Sequence, residues 1–139
     1  MFKHFVHGLL AASLIAAAAG ARADDYVVIV NKANDDPVSK EFVEKAYRGE
    51  AKNWPSGGTI DMAVLPESNA LRAAFDRKVL DKTPAQSKGM WAQMTFAGKI
   101  VPPKTLEGES DVVKFVSEDK HAIGYVSSGA VGAGVKVAK

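Results

Sequence analysis

Cysteine is absent from all 139 residues. That excludes disulfide bridges, thiolate metal sites, cysteine nucleophiles and the lipid-bearing cysteine of an exported lipoprotein. Histidine is scarce, with three in the chain. His4 and His7 lie in the N-terminal apolar segment, so imidazole chemistry in the remainder must rest on His121 alone. That residue sits in a polar turn before an apolar strand pattern, where a satisfied or solvent-facing histidine is expected. No Walker-type phosphate loop, nucleophile elbow or dinucleotide fingerprint is present. Gly129, Gly132 and Gly134 follow no strand-to-helix pattern. Asp35-Asp36 reads as a solvated turn rather than half of a calcium site. The residues imply no catalytic set, no cofactor and no metal.

A membrane-spanning run is also lacking. The longest apolar stretch, Phe5 to Ala19, is interrupted at His7, Gly8 and Ser13. It has about fifteen residues where a bilayer span needs about twenty. Lys3 precedes it, and Ala21-Arg22-Ala23 supplies the small residues a signal peptidase accepts. Residues 1–23 therefore read as a signal peptide cut after Ala23, leaving no membrane anchor. The 139 residues less these 23 leave 116, enough for one domain, 24–139, with one core. Without Lys3 and Arg22 the 18 basic residues become 16, against 16 acidic ones, so the mature chain carries no net charge. No field gathers nucleic acid or anionic lipid. A secreted chain with neither anchor nor lipid is retained by a double-membraned cell, which points to the periplasm.

What is present alternates between strand and helix signals. Tyr26–Val30 is continuously apolar and β-branched, as in a strand covered on both faces of a parallel sheet. Ser39 is placed to cap a helix carrying Phe42, Val43, Ala46 and Tyr47, with Gly49 at its end. Thr59 to Leu65 is a second strand. Pro66 to Asn69 is the turn into a helix with core stripe Leu71, Ala74, Phe75 and Val79. Thr83-Pro84-Ala85-Gln86 is the best helix start in the chain, a reciprocal cap with proline at the first position. That helix carries Trp91, Met94 and Phe96 inward and stops near Gly98. Ser110 caps a further helix through Val112, Val113 and Val116. Ala122–Val126 is a strand, and Val135–Val137 is an edge strand. The pattern predicts an α/β domain with a mostly parallel sheet flanked by helices.

In open α/β sheets, ligands bind beyond the carboxyl ends of strands, and helix-start amides there favour anions. The turn Leu65–Asn69 is such a place. Ser68, Asn69 and Arg72 offer a hydroxyl, an amide and a cation, and Glu67 is a candidate acceptor for a protonated oxyanion. Lys32 and Asn34, following the first strand, are placed at the same crevice. The alternative is that Ser68 is only a helix cap and Arg72 a solvated helix charge. Trp54 divides between core packing and the site rim, with core favoured.

The order of several segments resembles a known family. Val28-Ile29-Val30-Asn31-Lys32-x-Asn34, Ala46-Tyr47-Arg48-Gly49, Trp54-Pro55, Arg72-x-x-Phe75, Trp91…Phe96-x-Gly98 and Ala122-Ile123-Gly124-Tyr125-Val126 are similar to the second lobe of phosphate-type solute-binding proteins. The likeness is greatest to their short, single-lobe relatives, the PBP-like domain proteins. It implies one lobe of a type II periplasmic-binding-protein fold. Where phosphate binders read Arg-x-Asp-x-Ser-Gly-Thr, anchored on Phe75, this chain has Leu65, Glu67, Asn69, Ala70 and Leu71, keeping only the acid in kind. The resemblance implies a non-catalytic periplasmic module for phosphate or another small anion, partnered by an ABC transporter or a periplasmic protein. The alternative is a protein-interaction or sensory-accessory domain derived from such a lobe, with no small-molecule ligand.

Overall fold

Burial of the apolar run Tyr26–Val30 organises the sheet. The computed structural model describes residues 25–138; residues 1–23, including the expected signal peptide and its cleavage site, lie outside the described residues. Strand β1 (Tyr26–Asn31) runs into a polar turn. Helix α1 (Lys40–Tyr47) follows, capped by the Ser39 hydroxyl, which accepts from Phe42 N. Gly49 takes φ +77° beyond its end, the left-handed turn that glycine adopts without strain. Strand β2 (Asp61–Val64) leads into α2 (Ala70–Phe75), which continues through a π-helical turn to Leu80. Helix α3 (Pro84–Phe96) carries the reciprocal Thr83–Gln86 cap in full. Strand β3 (Lys104–Thr105), helix α4 (Glu109–Glu118), strand β4 (Ala122–Ser127) and strand β5 (Val135–Val137) complete the chain.

The strands form one sheet in the order β3-β2-β4-β1-β5. Strand β2 is parallel to both β3 and β4, whereas β1 is antiparallel to both β4 and β5. The α/β class stands, but the sheet is mixed rather than mostly parallel. A strand covered by helices on both sides is apolar throughout whichever way its neighbours run, so the composition of Tyr26–Val30 reported burial and not direction.

Register fixes two buried faces. Tyr125 is level with Val28, and Phe75 of α2 stacks on it with ring centroids 3.9 Å apart. Tyr47 of α1 meets the same Phe75 ring edge-on at 4.8 Å. On the opposite face Gly124 lies under Val112 and Val116 of α4. Asn31, at the end of β1, donates to the carbonyls of Val116 and Ser117, tying that helix's last turn to the sheet.

Three local expectations change. Gly108 rather than Ser110 caps α4, and its amide donates to the Asp111 carboxylate at 3.2 Å. Asn69 rather than Ser68 caps α2. Phe96 is 96% exposed, because α3 ends there instead of turning that position toward the sheet. Trp91 and Trp54 both belong to the core, each with its indole N–H donating at 2.8 Å, to Tyr47 O and His121 O respectively.

Candidate functional site

Beyond Met62 and Ile123 the central parallel strands are bridged by phenols. The Tyr47 hydroxyl donates to Ala63 O at 2.9 Å, and the Tyr125 hydroxyl accepts from Leu65 N at 3.1 Å. Burial, foremost, raises both phenols above their ordinary range, so they act as neutral hydrogen-bonding groups. They hold the carboxyl end of β2 apart from β4 and fix where the turn Leu65–Asn69 leaves the sheet.

Within that turn Asn69 Oδ1 accepts from Leu71 N at 2.8 Å, while Ser68 and Glu67 are exposed. Arg72 points inward. Its Nε donates to Asp76 Oδ2 at 2.6 Å, one Nη donates to Leu65 O at 2.8 Å, and the other reaches Ser87 Oγ at 3.1 Å. Ser87 in turn donates to Asp76 Oδ2 at 2.6 Å. The guanidinium lies 5.2 Å from the Trp91 ring centroid. Arg72 is thus neither a solvated helix charge nor a free cation for a ligand, because its charge is matched by a buried carboxylate.

A concave pocket of about 350 Å³ opens beside this turn, at the carboxyl ends of β2 and β3. Val64, Pro66, Trp91, Ala92, Pro102 and Pro103 make its apolar wall. Glu67 and Lys88 face each other at 3.2 Å as a largely exposed ion pair, and Thr105 and Arg72 are its other polar lining. Lys88 and Ala92, and the place of the two prolines beside them, escaped the sequence reading. Their joint position depends on α3 folding back over β2, and no local pattern reports that. The Pro102-Pro103 pair and the strong start of α3 were the only visible parts.

The register separates the other candidates. Strand β1 runs against β4, so Asn31 and the turn after it lie beside the start of β4, whereas the Leu65–Asn69 turn follows the far end of β2. Lys32 and Asn34 therefore do not share a crevice with Ser68, Asn69 and Arg72. Asn34 is buried as a turn residue, donating to Lys120 O and accepting from Asp36 N. His121, at that same end, is exposed, and its amide donates to Asp119. Beside it Asp61 is pushed up to about 6, first by burial and then by its hydrogen bond to Asp119. Among the described residues no group of three or more acidic or histidine side chains is placed to hold a metal, and no helix is long and apolar enough to cross a membrane.

Comparison with known proteins adds kinship to this geometry. The family described as PBP superfamily domain matches residues 6–139. No curated protein sequence matches the chain. An ABC-type phosphate transport receptor from Vibrio cholerae superposes with a TM-score of 0.64 at 18% identity, over 83% of this chain and 45% of that one. A Clostridium perfringens substrate-binding protein with bound phosphate gives 0.65 at 21% identity, over 83% and 44%. PstS from Borrelia burgdorferi gives 0.61 at 14% identity, over 83% and 46%. At these identities the likeness is one of fold, and the chain spans less than half the length of each of these structures.

Proposed function

Since this chain belongs to the PBP superfamily domain family, we propose that it is a non-catalytic, solute-binding-type module acting in the periplasm after removal of residues 1–23. The observation that carries the reading is the pocket of about 350 Å³ at the carboxyl ends of two parallel strands, where α/β sheets take ligands. Its size is at the small end for ligand sites, which suits a small solute.

Phosphate or another small anion is the ligand class the phosphate-binding neighbours suggest, with an ABC transporter as downstream partner. Ser68 and Asn69, on the turn beside the pocket rather than in its lining, are the residues to receive it, with Glu67 of the lining accepting from a protonated oxyanion. Arg72 contributes little attraction because Asp76 neutralises it. Affinity on the order of millimolar follows, a binding free energy of about −4 kcal/mol. Titration calorimetry of residues 24–139 with phosphate tests this, with weak, salt-sensitive binding that Ser68→Ala reduces as the expected result. Absence of any heat up to about ten times that concentration removes phosphate from the reading.

A second reading has its own support. Phe96, the last residue of α3, and Val101 after it are 96% and 73% exposed, apolar surface that a protein partner would cover.

A further inference from the structure

Among the described residues, each charged side chain that lines the pocket is paired with an opposite charge. Glu67 opposes Lys88, and Arg72 opposes Asp76. A phosphate dianion entering the apolar part would meet no unmatched cation and would face the Glu67 carboxylate. A net-neutral solute with separated charges meets no such obstacle. From this arrangement we infer that the pocket takes a small zwitterion with an apolar side chain, of the α-amino acid class. The inference rests on the chain being a solute-binding module, but not on phosphate being its solute.

The pieces match one by one. Lys88 supplies a cation to the carboxylate, and Glu67 an acceptor to the ammonium. These two side chains pair with each other at 3.2 Å in the pocket lining. An exposed pair of this kind is weak, so a ligand that inserts its own two charges between them gives up little. The apolar side chain then lies against Trp91, Pro102 and Pro103, an aromatic and ring-rich wall. Trp91 is held in place by its bond to Tyr47 O and by the Arg72 guanidinium 5.2 Å from its ring centroid, so that part of the wall is set before any ligand arrives. Arg72 lines the pocket as well, but its charge is matched by Asp76, so it positions Trp91 rather than supplying a free cation.

L-Phenylalanine is the probe, followed by amide NMR shifts of the 24–139 chain and compared with N-acetyl-L-phenylalanine, which lacks the cation, and 2-phenylethylamine, which lacks the carboxylate. Saturable shifts at Ala92 and Thr105 are expected with phenylalanine, and each analogue should bind about tenfold more weakly, the effect of one lost charged contact. Lys88→Gln should abolish the preference over 2-phenylethylamine, and Glu67→Gln the preference over the N-acetyl compound. Both residues are exposed, so neither exchange endangers the fold. Equal binding of all three compounds, no saturable shift at Ala92 or Thr105, or displacement of phenylalanine by phosphate overturns the inference. Phosphate shifts confined to Ser68 and Asn69 leave it standing and bear only on the anion reading.

Discussion

Arg72 and Asp76, one helical turn apart, meet at 2.6 Å with side chains 3% and 0% exposed. Asp76 Oδ2 receives the Arg72 Nε–H and the Ser87 hydroxyl, while Oδ1 is buried with no hydrogen-bond partner among the described residues. The pair joins α2 to the start of α3 and to the Leu65 carbonyl, so it is the clamp around which the candidate pocket forms.

Breaking that clamp from one side should be costly. Arg72→Met leaves the Asp76 carboxylate buried without its cation, and a loss of about 3–5 kcal/mol is expected. Replacing both partners, Arg72→Met with Asp76→Leu, removes the stranded charge and should cost far less than the two single changes added together. Urea denaturation of the three variants measures this. A single exchange costing under about 1 kcal/mol would mark the pair as no stronger than a surface one.

The same residue shows what the sequence could and could not convey. Periodicity placed Arg72 on a helix beside Leu71 and Phe75, and it placed the α3 cap at Thr83 correctly. Those features depend on residues within a few positions of one another. Whether Arg72 faces a ligand, water or the interior depends on Asp76 and Ser87 together, and Ser87 arrives from a different helix. Likewise Lys32 and Asn34 were legible as residues following a strand, but which end of the sheet they occupy depends on β1 running against β4. Strand direction leaves no trace in an unbroken apolar run, and the pocket wall of Trp91, Pro102 and Pro103 is assembled wholly by long-range packing.

Close approach of α4 to the sheet makes Gly124 a sensitive position. A Cβ there would sit 2.7 Å from Val112 Cγ1 and 3.4 Å from Val116 Cγ2. Valine in a helix is stiff about χ1, so Val112 cannot swing aside freely. Gly124→Ala should therefore cost about 1–3 kcal/mol through overpacking. Combined with Val112→Ala the penalty should be less than additive, since the second change removes the colliding methyl. Additive thermal or urea-derived losses would show that α4 does not press on β4 at that point.

The last expectation concerns pH. Asp61, at the start of β2, shares a hydrogen bond with Asp119 after the last turn of α4, and it is pushed up to about 6 from 3.8. Burial is the larger cause, the Asp119 hydrogen bond and charge follow, and His121 nearby opposes them. Lys104 and Phe115 line the same hollow. Between about pH 4 and 6 the folded chain holds on this carboxyl a proton that the unfolded chain has released. Fewer protons on the unfolded state mean that stability falls as pH rises. The contribution of Asp61 is therefore fully present below about pH 4, declines through pH 6 and is gone at neutrality. Most of this carboxyl remains near water, which damps the size of the effect but not its sign. Asp61→Asn keeps a donor for Asp119 and has no charge to lose. Its melting temperature should exceed that of the parent at pH 7, and the gap should close toward pH 4. Other carboxylates titrate in both proteins, so the difference between the two melting curves, measured from pH 4 to 7, isolates this one. A difference that does not change with pH, or that grows on acidification, would show that Asp61 and Asp119 do not share a proton in the folded state.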